Sequence, residues 1–147
     1  MKRSLYLIVT GLLMSIGTFA QLRDIPAEVT DAFSKQYPGA EGVVYKDNLK
    51  NFHVHFTLTG DKYIAKYNSK GEWKESEKST DIVKLPQPVQ DGFNKSKYTD
   101  WKIKEVVAVL SPKGAEHYRI RVEKGELQKK NLYFNQEGRL TKDGLTF

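Results

Sequence analysis

Apolar residues recur along this chain at two different periods, and the switch from one to the other happens twice. From Ile25, apolar positions return at Val29, at Ala32 or Phe33, and at Tyr37, the three-to-four residue spacing that lines one face of an α-helix. Leu85, Val89 and Phe93 repeat that spacing later in the chain, with Tyr98 one residue out of step. Pro26 and Pro86 suit the first helical turn, where a backbone N–H has no partner to lose. Pro38-Gly39 is expected to close the first helix and Thr99-Asp100 the second.

After each helix the period drops to two. The first half reads EGVVYKD, NFHVHFTLTG, DKYIAKYNSKG and EWKESEKST; the second reads WKIKEVVAVLSPKG, AEHYRIRVEKG, ELQKKNLYFNQEG and RLTKDGLTF. Turn residues separate the runs, and Tyr67-Asn68-Ser69-Lys70-Gly71 matches Phe134-Asn135-Gln136-Glu137-Gly138. In both, asparagine suits turn entry and glycine the position of positive φ. The same helix, strand count and turn in the same order predict an α+β fold built as a tandem repeat. Each unit is one helix plus a four-stranded antiparallel sheet. Side by side they form an extended sheet of about eight strands with helices on one face and the other face in water. The expected division is a leader over residues 1–20, a first repeat over 21–80 and a second over 81–147. The segment EWKESEKST reads as a solvated strand and the linker between the copies.

Alternation also predicts which residues the open face carries. In NFHVHFTLT, Phe52, Val54, Phe56 and Leu58 must face the helix, which puts His53 and His55 on the other side. In the second half, Tyr118, Ile120 and Val122 take the core side and His117, Arg119, Arg121 and Glu123 the open side. Aligning the third strands on their shared turn assigns Ala65, Tyr67, Leu132 and Phe134 to the core, leaving Lys62, Ile64, Lys66, Asn131 and Tyr133 outside. Arg119, Arg121 and Tyr133, with Lys129 beside them, make a contact patch suited to an acidic partner. The same polar residues also satisfy the simpler requirement of a half-solvated sheet.

The start of the chain changes where this fold is expected to work. MKRSLYLIVTGLLMSIGTFAQ has the cations Lys2 and Arg3, an apolar run from Leu5 to Ile16, and small residues flanking Phe19. That is a secretory signal peptide with cleavage near Ala20, predicting a periplasmic or secreted protein. The apolar run is shorter than the roughly 20 residues that span a bilayer, and no later segment is long enough. Removing residues 1–20 leaves 127 residues with 22 cations against 18 anions. Residues 21–80 hold nine of each sign, whereas residues 81–147 hold thirteen cations and nine anions, so the whole positive excess lies in the second half. Zero cysteines exclude disulfide staples, thiol catalysis and thiolate metal sites.

Candidate chemistry narrows the picture further. His53-x-His55 sets two imidazoles roughly 7 Å apart on one strand face, but a zinc site needs a third protein ligand. His117, Glu116 or Glu123 supply one only if the halves approach each other. No G-x-S-x-G, H-E-x-x-H, phosphate-binding glycine loop or dinucleotide fingerprint occurs, and no carboxylate pair is spaced for acid–base work. The expectation is a protein that is not an enzyme, with no cofactor and no resident metal. Export and the lack of a nucleic-acid-binding motif argue against nucleic acid as a partner.

The leader, the openings Ile25-Pro26…Phe33…Tyr37-Pro38-Gly39 and Leu85-Pro86…Phe93…Tyr98, and the turns Tyr67-Asn68-x-x-Gly71-x-Trp73 and Phe134-Asn135-x-x-Gly138 together resemble the PepSY-like, β-lactamase-inhibitor-like (BLIP-like) proteins. The resemblance spans essentially the whole mature chain. It implies tandem helix-plus-sheet units, a place outside the cytoplasm, and a concave sheet that grips an enzyme, as in the inhibitor that gives the group its name. The expected function is therefore an exported binding module, inhibitor-like in style, that engages a protein or peptide through its open sheet face. An exported enzyme with an acidic surface fits as partner. His53, His55, His117, Arg119, Arg121 and Tyr133 are the binding candidates. The alternative is a small-ligand or metal-binding periplasmic protein using the concavity as a shallow pocket.

Overall fold

The computed structural model describes residues 24–114 and 116–145. The expected signal peptide and its cleavage point at Ala20 lie outside the described residues. Within them, helix α1 (Ala27–Gln36) is followed by strands β1 (Glu41–Asn48), β2 (Asn51–Leu58), β3 (Asp61–Tyr67) and β4 (Trp73–Thr80). A short 3₁₀ turn at Ile82–Lys84 leads into helix α2 (Gln87–Asn94) and strands β5 (Lys102–Leu110), β6 (His117–Lys124), β7 (Gln128–Phe134) and β8 (Leu140–Leu145). All eight strands form one antiparallel sheet in sequential order, β1 through β8, with β1 and β8 as open edges. Both halves thus have the element order expected of them, one helix then four strands.

Each helix covers its own half of one sheet face. Val29 and Phe33 of α1 pack on Phe52, Val54, Phe56, Ala65 and Tyr67. Val89 and Phe93 of α2, with Leu85 just before it, pack on Val106, Ala108, Tyr118, Ile120, Val122, Leu132 and Phe134. Apart from Val106 and Ala108, the strand residues here are ones that the period-two pattern assigned to the core. Their burial supplies the main stabilisation, each large side chain contributing about 1.5–3 kcal/mol.

The paired turns gain a second role. In both, the asparagine Oδ1 accepts a backbone N–H four residues on, Glu72 at 2.9 Å and Arg139 at 2.8 Å. The glycines sit at φ +74° and +77° and press against a helix. A Cβ on Gly71 would lie 2.3 Å from the Glu28 carbonyl oxygen, and one on Gly138 1.9 Å from that of Pro88. Glycine is therefore required by packing as well as by turn geometry.

Two sequence expectations need correction. The second helix ends at Asn94 rather than near Thr99-Asp100. The Ser96 hydroxyl donates to the Phe93 carbonyl at 2.7 Å and its oxygen accepts the Tyr98 N–H at 3.2 Å, a side-chain competition that stops a helix. Tyr98 is then buried from a turn, which explains its one-residue slip. Secondly, EWKESEKST is neither a solvated strand nor a linker. As β4 it is a central strand, paired with β3 and β5, and it carries the buried polar residues Ser76 and Glu77.

Candidate functional site: the open sheet face

Strand register fixes the composition of the uncovered face. His55, Ile64, Glu77, Val109 and His117 are successive cross-strand neighbours from β2 to β6. Beside that row run Thr57, Lys62, Ser79, Val107, Arg119, Tyr133 and Lys142, from β2 to β8. The six candidate residues accordingly share one face. They do not form one cluster. His55 and His117 are four strands apart, about 19 Å at 4.8 Å per strand, and among the described residues no three histidine or carboxylate side chains are grouped to hold a metal ion.

The centre of the face holds a ladder of alternating charge. Glu77 Oε1 accepts from Lys66 Nζ at 2.7 Å and from Arg119 Nη1 at 2.8 Å, while its Oε2 accepts from Arg119 Nη2 at 3.0 Å. Lys66 also donates to Glu75 at 2.6 Å, and Arg119 to Glu105 at 3.1 Å. Arg121 extends the ladder, its Nη2 lying 3.5 Å from Glu105 and its Nε donating to Asn131 at 3.4 Å. Three acids and three bases from four strands thus neutralise one another. The ladder also crosses the β4–β5 seam, so Glu77 ties β3 to β6 over the top of β5.

Burial makes these bonds strong. The Glu77 side chain is 7 % exposed, Arg119 15 % and Lys66 18 %. Burial alone would push the Glu77 carboxyl up, but the hydrogen bond from Lys66 and the charge of Arg119 outweigh it and hold it below the usual carboxylate range. For Lys66, burial acts downward, and the bonds to Glu75 and Glu77 leave the amine above its ordinary value. Arg119 is therefore largely occupied inside the molecule, and the cationic patch inferred from sequence is narrower than its residue types suggested.

Around the ladder the candidates differ in character. Val107 and Val109 form an apolar floor, both buried on the uncovered side. Tyr133 stands at the second-half end, with the His117 ring 6.4 Å away and Lys142 Nζ 5.6 Å from its own ring centre. Arg121 is 37 % exposed and retains outward reach. At the first-half end, burial and then the Lys66 charge hold His53 below its ordinary pKa; burial and Lys46 do the same to His55. Both are neutral at pH 7, acting as acceptors or apolar rings and not as cations. The face therefore offers imidazoles at one end, a self-satisfied ionic belt across the middle, and at the other end a tyrosine beside Lys142 and the half-exposed Arg121.

Sequence reasoning missed Glu77, Glu105, Val107 and Val109. The unbroken run Val106–Val109 was the visible signal for the valines: four consecutive apolar residues in a strand mean burial on both faces. Nothing comparable marks Glu77, whose partners lie 11 and 42 residues away.

Comparison with known proteins fits this geometry. A profile of the family described as "Putative beta-lactamase-inhibitor-like, PepSY-like" matches residues 50–142. The chain belongs to that PepSY-like family. Among solved structures, a DUF2874 family protein from Bacteroides ovatus is 24 % identical, covers 84 % of this chain and 89 % of its own, and superposes with a TM-score of 0.78. A "putative periplasmic" protein from Bacteroides eggerthii (21 % identity, 84 % and 90 % coverage) gives 0.77. A BLIP-like protein from Bacteroides fragilis (24 % identity, 84 % and 89 % coverage) gives 0.76. At these identities the likeness is one of fold. No curated protein matches the chain. Among the described residues no helix is long and apolar enough to cross a membrane.

Proposed function

We propose that this PepSY-like protein is an exported, non-catalytic binding module that holds a protein or peptide against the uncovered face of its sheet. One observation carries the reading: both helices cover the same sheet face, and among the described residues no element lies over the other face of the eight strands. An antiparallel sheet can leave one face in water, and what favours use of this one is its valine floor beside a tyrosine flanked by cations. Export rests on the leader-like residues 1–20, and a structural relative described as periplasmic is consistent with it. An inhibitor-like style of binding is what the family description suggests.

The candidates then divide by role. Tyr133, Arg121 and His117 offer an aromatic anchor with polar and cationic neighbours, the mixture enriched at the centres of protein interfaces. His53 and His55 supply a neutral second contact. Arg119 acts mainly as a positioning residue, bonded to Glu77 and Glu105 across the strands of the floor. A tagged copy expressed in its own host's envelope provides the test, comparing wild type with Tyr133→Ala/Arg121→Gln. Both substitutions lie on half-exposed positions and leave the Glu77 bonds intact. The double variant is expected to fold normally and lose the partner that wild type retains. Equal retention of that partner by the folded variant removes the assignment to this face.

A further inference from the structure

Both edges of the sheet carry a register shift, and they differ in what flanks them. β1 is interrupted by a bulge between Glu41 and Val44, where Gly42 takes φ +60°, and its charges Glu41, Lys46 and Asp47 are mixed. β8 also shifts register, between the pairs Tyr133–Lys142 and Phe134–Leu140, and then pairs with β7 in continuous register from Lys142 to Leu145. Among the described residues no strand pairs with its outer side.

A groove of about 500 Å³ runs along that edge on the helix side, between β8 and the C-terminal end of α2. Lys95 and Lys97 line it from the helix side with Asp143, a net charge of +1, and Lys142 borders it from the edge strand. Asp143 is already engaged: it accepts from the Tyr98 hydroxyl, and Lys97 Nζ and Lys130 Nζ lie 3.7 and 3.9 Å away. Its carboxyl accordingly sits below the usual range, chiefly through the Tyr98 bond. The groove thus offers ammonium groups outward while its one carboxylate is turned to neighbours. Lys142 lies on the opposite side of the strand plane from Asp143, beside Tyr133, so positive charge flanks both faces of the edge.

We infer that β8 accepts an extended acidic peptide segment as a ninth antiparallel strand, with one set of its side chains in the groove under α2 and the other beside Lys142. An added strand lies about 4.8 Å from β8 in the sheet plane, and its alternate side chains point to opposite faces. Acidic residues on either face then meet a lysine. The same lysines oppose a second copy of this chain, because β8 against β8 brings like charges together. The edge is thereby closed to itself and open to the opposite charge. Lys142 also borders the uncovered face beside Tyr133, so protection of the β8 amides, and not partner retention, is the readout that separates this inference from the proposed function.

The probe is an acetylated and amidated octapeptide alternating Glu and Thr, titrated into the isotopically labelled full-length mature protein. Amide exchange and chemical shifts are read at every backbone N–H. The expected result is at least about tenfold slower exchange at alternate amides of Lys142 to Leu145, with shifts in Lys95 to Lys97. An analogue N-methylated at every residue keeps the charge but has no strand donors, and it is expected to give no protection. Lys97→Glu/Lys142→Glu, both exposed and tolerant of change, is expected to weaken binding by about tenfold. Equal binding of the N-methylated analogue, displacement of the peptide by inorganic pyrophosphate at matched charge, or protection centred on β1 or the uncovered face overturns the inference. So does the absence of binding at millimolar peptide.

Discussion

Replacing Glu77 by glutamine keeps the shape of the side chain and removes the charge on which the ionic ladder converges. Wild-type Glu77 receives three charge-assisted hydrogen bonds, at 2.7, 2.8 and 3.0 Å, from two cations that are themselves mostly buried. Breaking a buried pair from one side costs about 3–5 kcal/mol, because an unmatched buried charge remains. Glu75 still binds Lys66 and Glu105 still binds Arg119, so the expected loss is somewhat smaller, about 2–4 kcal/mol. Against a total stability of about 5–15 kcal/mol for such a domain, that is a large fraction. Urea unfolding followed by tryptophan fluorescence reads it as a lower midpoint at unchanged slope. Simultaneous Lys66→Met, Glu77→Leu and Arg119→Met substitution removes the whole buried core of the ladder and is expected to cost less than the single change. The pH dependence has a fixed sign. A carboxyl lowered in the folded state contributes its stability above the unfolded value and loses it as pH falls through the folded one. The gap between wild type and Glu77→Gln is therefore widest near neutrality and closes in acid. A single-variant loss below about 1 kcal/mol, the level of an exposed pair, or a gap independent of pH refutes the reasoning.

Other parts of the structure give equally direct expectations. Gly71→Ala and Gly138→Ala each combine positive φ with a Cβ driven into a helix carbonyl, and should each cost about 2–4 kcal/mol. Gly60→Ala, also at positive φ but with nothing within 4 Å, should cost only about 1 kcal/mol; equal losses at all three sites contradict the packing role. Ser76→Ala strands the Tyr37 hydroxyl and the Trp73 indole N–H, which lie 2.6 and 2.8 Å from its oxygen, and thermal unfolding should register about 2 kcal/mol. His53, lowered by burial and by Lys66, should titrate below the ordinary histidine value by NMR and move back toward it in Lys66→Met; a wild-type midpoint at or above the ordinary value rules out that environment.

What the sequence reveals here tracks the range of the interaction. Local periodicity carries the fold: Val29 with Phe33, or Phe52 with Val54 and Phe56, identifies its own core face without reference to the rest of the chain. The same alternation assigns His53, His55, His117, Arg119, Arg121 and Tyr133 to a common face, because facing is a property of one strand. Whether a charged residue on that face is free or engaged is a property of several strands at once. Arg119 looks available in HYRIRVEK and is held by Glu77 of β4 and Glu105 of β5; Glu77 looks solvated in EWKESEKST and is buried by cations from β3 and β6. The early end of α2 is hidden for a different reason. A single serine hydroxyl, Ser96, diverts the hydrogen bond that the pattern of Leu85, Val89 and Phe93 implies will continue.

The central claim is that the uncovered sheet face does the binding, and site-specific photo-crosslinking in the host envelope tests it most directly. A photoreactive residue is placed at Tyr133 or His117 on that face, and at Asp31 on the outer side of α1, one position per protein, with folding of each verified by thermal unfolding. The account predicts a discrete partner adduct from Tyr133 and His117, reduced by Arg121→Gln and absent from Asp31. Adducts arising from Asp31 and not from Tyr133 or His117 contradict it.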